Sequence, residues 1–160
     1  LLLNEDYPSW LYQVNMGATT VWERWNSVLP DGKISDTGMN SLNHYSYGAI
    51  VEWMYRYMCG VNPCEDAPGF RRFVVKPYVD SRFSQVCMTF DSASGKIAGG
   101  WRRTEEGYLF EVEVPFDAEA SFVFTFDCSR VSVNGVSVTG GKKGDSLRLV
   151  KGHYEILAVL

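Results

Sequence analysis

The chain has 160 residues, of which 46% are apolar and 21% are charged, and its formal net charge is −4. This composition is typical of a globular chain with one core, or of a small domain joined to part of another. Lysine and arginine are scattered, so nucleic acid and anionic membranes are not expected as partners. No apolar run approaches the roughly 20 residues that span a bilayer, and the absence of an initiator methionine leads us to expect a fragment.

The first part of the chain predicts one short helix followed by loops. Pro8 suits the first turn of a helix that begins near Asp6 or Tyr7 and ends at Gly17. Glu5 and Asp6, at its predicted start, would interact favourably with the helix dipole. The residues on its predicted apolar face are Trp10, Leu11 and Val14. Residues 19–22 are expected to be extended, and residues 30–33 predict a turn with a loop through residue 38. Glu23 therefore lies at the mouth of a loop.

A clearer helix is predicted from Asn43 or Ser46 to Cys59, with Gly60 as its left-handed cap. Its apolar stripe consists of Ala49, Ile50, Trp53, Met54, Tyr57 and Met58. Such a wide stripe needs several neighbouring helices, and one short helix upstream cannot supply them. We therefore expect residues 1–60 to belong to a larger helical body.

From about residue 70 the apolar residues recur with period two, which predicts nine short strands. These cover residues 73–75, 86–90, 97–102, 108–114, 122–126, 131–133, 136–138, 147–150 and 154–157. Turn signals at 94–95, 106–107 and 134–135 indicate hairpins, which favours an antiparallel β-sandwich. The predicted class is α+β, with a helical domain at 1–62 and a sandwich domain at 63–160.

One carboxylate stands among aromatic residues, because Glu23 lies between Trp22 and Trp25 and next to Arg24. Aromatic rings can hold a sugar against an acid/base group, and a carboxylate in these surroundings suits such chemistry. A Glu–Arg ion pair beside core tryptophans is the structural alternative. His44, further along the chain, fits either a site residue or a buried histidine bonded to a backbone carbonyl.

The cysteines and histidines predict neither a disulfide framework nor a metal site. The four cysteines are irregularly spaced, so most are expected to be buried thiols, and Cys59 and Cys64 form the one pair that we consider for a bridge. His44 and His153 occur in no zinc-binding spacing, and His153 is expected at the surface. No metal and no cofactor is predicted.

Motifs in both parts of the chain point to one family. The first group is YPSW at 7–10, GATTVWERW at 17–25, SLNHY at 41–45, YGA at 47–49 and EW at 52–53. The second group is APGFRRF at 67–73, KP at 76–77, SGKI at 94–97 and Trp101. In kind and order the first group resembles the C-terminal end of the bacterial α-L-rhamnosidases of glycoside hydrolase family 78. The second is similar to the β-sandwich that follows the catalytic barrel in that family.

The resemblance implies an α+β fragment, with the last helices of an (α/α)6 barrel followed by an antiparallel β-sandwich. It also implies release of terminal α-L-rhamnose from glycosides with inversion, which needs two carboxyl groups roughly 6.5–9.5 Å apart. Glu23 matches the family's general base, His44 matches a histidine that contacts the rhamnose, and Trp22 or Trp25 would flank the sugar. No motif of the general acid occurs in the chain, so we expect the isolated fragment to be inactive.

Two other functions remain open for the sandwich. Trp101, Tyr108 and Phe83 could form the aromatic platform of a carbohydrate-binding module, although Trp101 is expected to be buried. The sandwich could instead brace the last barrel helix near residues 62–63 and bind nothing. The exposed apolar stripe predicts self-association, and an extracytoplasmic location is favoured over a cytoplasmic one.

Overall fold

The structure is a computed structural model that describes residues 2–160. It divides into two compact units, Leu1–Glu52 and Trp53–Leu160, which we call the N-terminal unit and the β unit. No helix within residues 2–160 is both long and apolar enough to cross a membrane. The predicted domain boundary at residue 62 stays a prediction.

Within residues 2–45, the N-terminal unit has one short α-helix, α1, at Trp10–Asn15. The expected start near Asp6 or Tyr7 is wrong, because Ser9 is the N-cap and its hydroxyl accepts a hydrogen bond from the Tyr12 N–H. No acidic residue lies in the first turn. The expected apolar face is right only in part, since Trp10 and Leu11 are half-buried but Val14 is 60% exposed, and the residues that α1 buries are Tyr12 and Gln13.

Loops make up most of the remaining N-terminal unit, and side chains hold them in place. Residues 19–22 do not form a strand. The Tyr12 hydroxyl donates to the Val28 carbonyl at 2.8 Å, and the Asn40 amide donates to the carbonyls of Ser27 and Ser35 at 3.1 and 3.2 Å. The turn expected at 30–33 is present, closed by a 2.8 Å bond from the Leu29 N–H to the Lys33 carbonyl.

The second predicted helix is present but changes pitch twice. A 3₁₀ segment at Ser46–Ala49 leads into α2 at Ile50–Trp53, and a π-helical segment follows at Met54–Met58. Gly60 has φ +80°, as the predicted left-handed cap requires. A Cβ at Gly60 would lie 2.2 Å from the Lys76 carbonyl carbon, so glycine is needed for close packing as well.

Ten strands and a short 3₁₀ helix at Pro68–Phe70 build the β unit. The strands are β1 Val61–Pro63, β2 Arg72–Val75, β3 Gln85–Ser92, β4 Gly95–Arg103, β5 Gly107–Val114, β6 Glu119–Val123, β7 Arg130–Val133, β8 Val136–Val138, β9 Ser146–Leu149 and β10 Gly152–Val159. All nine predicted strands are confirmed, although β6 begins and ends three residues earlier than expected. The strand that was not predicted, β1, contains a proline and has only three residues, so it carries no alternation.

The strands form two sheets, of which one has the order β1-β2-β6-β9 and the other the order β3-β4-β5-β10-β7-β8. The predicted antiparallel sandwich is confirmed, and the pair β2–β6 is parallel. The β7–β8 hairpin pairs Val133 with Val136 across Asn134 and Gly135, whose φ values of +50° and +80° suit a type I′ turn.

A single apolar core lies in the β unit and draws residues from both sheets. Phe110 of β5 meets Phe122 of β6 with ring centroids 5.0 Å apart, in an edge-to-face contact. The large apolar side chains that are almost completely buried are Phe73, Phe110, Phe122, Ile97, Leu149, Ile156 and Val131. The alternation predicted for residues 108–114 is visible, because Val112 and Val114 are buried while Glu111 and Glu113 are exposed.

All four cysteines are free thiols, so the bridge considered between Cys59 and Cys64 does not form. Cys59 and Cys128 are buried, whereas Cys64 is half-buried and Cys87 is exposed. The expectation that most would be buried therefore holds for only two of them. Burial raises the pKa of the Cys59 thiol to about 11, which makes it unreactive at neutral pH.

Candidate functional site

Backbone hydrogen bonds bring two of the sequence motifs together in the N-terminal unit. The Glu23 N–H donates to the Ser41 carbonyl at 2.9 Å, and the His44 N–H donates to the Val21 carbonyl at 2.7 Å. The Thr20 hydroxyl adds a bond to the Leu42 carbonyl. Residues 20–23 and 41–44 therefore run side by side, which places Glu23 and His44 on adjacent segments.

The Glu23 side chain is half-buried and is held at one oxygen. Its Oε2 accepts the Ser41 N–H at 2.8 Å, so Ser41 and Glu23 exchange two hydrogen bonds. A carboxylate bonded to a peptide N–H is fixed in direction as well as in place. Its Oε1 has no hydrogen-bond partner among residues 2–160, which leaves one oxygen able to accept a proton.

Arg24 does not bind the Glu23 carboxylate in this structure. Its guanidinium donates to the Thr37 carbonyl at 2.6 Å, and the backbone N–H of Arg24 donates to the Ser27 hydroxyl at 3.1 Å. Arg24 therefore anchors the loop around residue 37. The structural alternative, an ion pair between Glu23 and Arg24, receives no support from these contacts.

An aromatic cluster surrounds Trp25. The Trp25 ring stacks on Tyr47 with centroids 3.9 Å apart and an interplanar angle of 14°. Trp10 meets Trp25 edge-on at 5.0 Å, and its indole N–H donates to the Tyr47 carbonyl at 3.0 Å. Trp25 remains half-buried, so part of its ring is open to a ligand.

Trp22 lies in the interior of the N-terminal unit and is 3% exposed. Its backbone N–H donates to the Gln13 side chain at 3.3 Å, and its ring contacts Tyr12 edge-to-face at 6.5 Å. Burial raises the pKa of the Tyr12 phenol. Of the two predicted sugar-flanking residues, Trp25 is the one with an accessible ring.

His44 is half-buried, and the next two residues of the chain, Tyr45 and Ser46, contact its ring. Tyr45 stacks on the imidazole with centroids 4.9 Å apart and an interplanar angle of 18°. Ser46 lies against Nδ1, with its N–H at 3.3 Å and its hydroxyl at 3.0 Å. The Nε2 atom has no hydrogen-bond partner among the residues that the structure describes.

Sequence reasoning missed Ser41, Ser46 and Tyr47. The serines act largely through peptide N–H groups, which every residue except proline carries, so no side-chain pattern could reveal them. Tyr47 lies in one of the quoted motifs, but its stacking on Trp25 depends on how two loops meet.

Other candidate sites in the chain are weaker. Within residues 2–160, no group of three or more histidine, cysteine or acidic side chains is placed to hold a metal. His153 is exposed, as expected. Trp101 and Tyr108 are 3% and 9% exposed, and Phe83 packs against the core, so these three residues do not form a displayed platform.

Glycoside hydrolases use a pair of carboxyl groups beside the sugar, and the N-terminal unit offers one partly exposed carboxylate, that of Glu23, and one stacked indole, that of Trp25. Comparison with known proteins agrees with this class. Residues 1–58 match the family model of the bacterial α-L-rhamnosidase six-hairpin glycosidase domain, and residues 60–136 match that of the bacterial α-L-rhamnosidase C-terminal domain. The chain therefore belongs to the bacterial α-L-rhamnosidase family, and it combines the last helices of the barrel with a β-sandwich.

Individual relatives support the same assignment. The chain is 37% identical to an α-L-rhamnosidase of Alteromonas sp. (strain LOR), over 98% of this chain and 17% of that protein. An α-L-rhamnosidase of Formosa agariphila is also 37% identical, over 100% of this chain and 17% of its own length. The crystal structure of Streptomyces avermitilis α-L-rhamnosidase complexed with L-rhamnose matches with a TM-score of 0.84 and 32% identity, over 98% of this chain and 15% of that one. The chain thus spans about a sixth of these relatives.

Proposed function

We propose that this chain supplies the general base of an inverting α-L-rhamnosidase, and that the base is Glu23. The observation that carries the proposal is the state of its carboxylate, with Oε2 fixed by the Ser41 N–H at 2.8 Å and Oε1 without a partner among the residues described. A general base must be held in place and must keep one oxygen free for the proton that it removes. Glu23 meets both conditions, and it lies in the motif that matches the family.

In the proposed reaction, Oε1 of Glu23 accepts a proton from a water molecule as that water attacks the anomeric carbon. A second carboxyl group protonates the departing glycosidic oxygen from the opposite face of the ring, so the anomeric configuration is inverted. Water needs room between the two carboxyl groups, which sets their separation at roughly 6.5–9.5 Å. The chain's own contribution is the water-activating half of this pair.

Trp25 and His44 are proposed to bind the sugar. Trp25 is positioned by its stacking on Tyr47, so its accessible part can pack against a sugar ring without loss of order. His44 is tied to the Glu23 segment through the Val21 carbonyl. That the Streptomyces relative was solved with L-rhamnose supports a terminal rhamnose as the ligand. Trp22 is proposed to support Glu23 from the interior.

The general acid is proposed to lie outside these 160 residues, so the chain alone should not hydrolyse rhamnosides. Other carboxylates of the N-terminal unit are poor substitutes for it. Glu5 and Asp6 are exposed near the start of the chain, and Glu52 is exposed in the first turn of α2. None of these three lies in a motif that resembles the one around the family's general acid.

An activity assay tests whether the general base lies in this chain and the general acid outside it. Purified residues 1–160 should give no turnover of an aryl α-L-rhamnoside. A longer polypeptide, extended at its amino end to include a whole six-hairpin domain, should be active and should lose activity on Glu23→Gln. Asp36→Asn, at an exposed carboxylate of the same unit, is the matched control and should have no effect. Turnover by residues 1–160 that Glu23→Gln abolishes would contradict the proposal.

For the β-sandwich we propose a structural role, in which it holds the last helical turn of the glycosidase domain. Three hydrogen bonds join the π-helical segment Met54–Met58 to later residues of the β unit. The Trp101 indole donates to the Met58 carbonyl at 2.9 Å, the Tyr78 N–H to the Tyr57 carbonyl at 3.0 Å, and the Tyr55 hydroxyl to the Thr89 carbonyl at 3.1 Å. The strongest aromatic candidate for sugar binding, Trp101, is therefore occupied as a brace.

Calorimetric titration with L-rhamnose distinguishes the brace from a binding module. A brace should give no saturable heat that depends on a ring of the β unit. Saturable heat that is lost on Tyr78→Ala or Phe116→Ala, which remove exposed rings of the β unit, would instead establish a sugar site on the sandwich.

Self-association is proposed to occur through an aromatic patch that consists of Trp53, Tyr57 and Tyr78. These rings are 43%, 47% and 50% exposed, and neighbouring centroids lie 6.2 and 6.3 Å apart. Exposed apolar surface of this kind favours association in water. Light scattering should detect species larger than a monomer, and Trp53→Ser with Tyr57→Ser should reduce them. A monomeric wild-type chain that binds no hydrophobic dye would exclude self-association through this patch.

An extracytoplasmic location also remains a proposal.

A further inference from the structure

The Nδ1 atom of His44 receives its hydrogen-bond contacts from one residue. The Ser46 N–H points to Nδ1 at 3.3 Å, and the Ser46 hydroxyl lies 3.0 Å from the same atom. A peptide N–H can only donate a hydrogen bond, so Nδ1 must offer its lone pair. A neutral imidazole carries a single N–H proton, and that proton must then lie on Nε2.

We infer that Ser46 is a positioning residue that holds His44 in the Nε2–H tautomer, so that the site presents His44 as a hydrogen-bond donor. Ring orientation is restricted at the same time, because Tyr45 stacks on the imidazole at 4.9 Å with an angle of 18°. A half-turn of the ring about the Cβ–Cγ bond would place the Cδ2–H group against the Ser46 N–H and lose that bond.

Segment 41–46 fixes Glu23 and His44 by the same device. The Ser41 N–H binds Oε2 of Glu23 at 2.8 Å, and the Ser46 N–H binds Nδ1 of His44 at 3.3 Å. Each bond uses one atom of the side chain and leaves the other without a protein partner among residues 2–160. The free atoms are an acceptor, Oε1, and a donor, the Nε2–H group.

The consequence for the ligand rests on the proposed function. If Glu23 is the base, it takes a proton from water, while His44 donates to an oxygen of the sugar. A sugar hydroxyl would therefore meet His44 as an acceptor. Ligand groups that can only donate a hydrogen bond would be rejected at this position, because they would oppose the Nε2–H group.

Long-range ¹⁵N–¹H correlation spectra of the 160-residue chain test the inference at about pH 8, where an ordinary imidazole is neutral. The chain contains only two histidines. His153 is exposed, and its ring has no partner among the described residues, so it serves as the internal control. His44 should show an unprotonated Nδ1 and a protonated Nε2, whereas His153 should show the exchange average of a free imidazole. His153→Gln assigns the two sets of signals.

Two variants separate the contributions of the N–H and the hydroxyl. Ser46→Ala keeps the N–H and should keep the tautomer. Ser46→Pro removes both groups at the first residue of the 3₁₀ helix, where the helix does not need the N–H, and should shift His44 to the average shown by His153. Because proline disfavours the helical conformation of Tyr45, folding is checked from the dispersion of amide signals.

A proton on Nδ1 of His44, or an averaged pattern equal to that of His153, would overturn the inference. So would a folded Ser46→Pro chain in which the tautomer is unchanged. If Ser46→Pro does not fold, the wild-type and Ser46→Ala spectra decide the question. These spectra involve no sugar and no turnover, so their failure is distinguishable from a failure of Glu23 as the base.

Discussion

The two units of this chain reach a folded structure in different ways. The β unit relies on sheet ladders and a continuous core to which both sheets contribute. Within residues 2–45, the N-terminal unit has a single α-helix, of six residues, and side chains bound to backbone groups hold its loops. Asn40, for example, donates to two carbonyls from different turns of the loop.

This difference explains where the candidate site lies. Regular strands satisfy their own backbone groups, so their side chains are free to pack into a core. In the N-terminal unit, the N–H groups of Ser41 and Ser46 bind the side chains of Glu23 and His44, for which we propose catalytic and binding roles. We therefore expect substitutions in the β unit to affect mainly stability, and those in the N-terminal unit to affect both the fold and the site.

The largest stability effect should come from the core of the β unit. Phe110→Ala removes a ring that is 2% exposed and contacts Phe122, so it should lower the free energy of unfolding by about 3–5 kcal/mol. Urea unfolding combined with hydrogen exchange of amides in residues 53–160 measures the change. Phe116→Ala, at a ring that is 74% exposed, is the control and should cost less than about 1 kcal/mol. Equal losses in both variants would show that the core is not the main source of stability.

A smaller loss of stability is expected at Gly60, which links the last helical segment to the first strand of the sandwich. Gly60→Ala forces a side chain onto a residue with φ +80° and places its Cβ against the backbone of Lys76 and Pro77, so it should cost more than about 2 kcal/mol. Gly144→Ala is the matched control, because Gly144 has φ +96° and open space around it. It should cost only about 1 kcal/mol of backbone strain. Thermal unfolding of the two variants gives the comparison, and a Gly60→Ala chain no less stable than the control would refute the packing argument.

The smallest of these stability effects is expected at the start of α1. Ser9→Ala removes the hydroxyl that accepts the Tyr12 N–H at 2.9 Å, so it should cost about 1 kcal/mol. Hydrogen exchange should report the loss in residues 2–52 and not in residues 53–160. Thr19→Ala, at an exposed hydroxyl of the same unit, should leave the exchange rates unchanged. Equal destabilisation of both units would mean that they unfold as one.

The difference between the regular strands of the β unit and the loops of the N-terminal unit also determines how much of each can be predicted from sequence. Strands such as β5 alternate buried and exposed residues, and the turn at 134–135 has its own signal, so the sandwich was predicted strand by strand. The predicted start of α1 is wrong because proline suits a first helical turn wherever it occurs, whereas in this chain the hydroxyl of Ser9, one residue after Pro8, sets the start. The π-helical segment at Met54–Met58 has no signal in the local periodicity, which predicts one continuous helix.

For the site, the family motifs predict Glu23 and His44, and their roles stay predictions. It could not choose between Trp22 and Trp25, because that choice depends on which ring the fold buries. It also paired Glu23 with Arg24, since neighbours in sequence of opposite charge are expected to attract. In the structure the guanidinium reaches the Thr37 carbonyl, a contact that only the loop conformation brings about.

The most direct test of Glu23 as the water-activating base is rescue by azide of a Glu23→Ala variant, in the longer polypeptide with a complete six-hairpin domain. Loss of the base should lower the turnover of an aryl α-L-rhamnoside by about 10²–10⁴-fold. Azide needs no deprotonation and can enter the space left by the carboxylate, so it should restore turnover and give a rhamnosyl azide of inverted configuration. Unchanged turnover without azide, or a rescued product of retained configuration, would contradict the assignment.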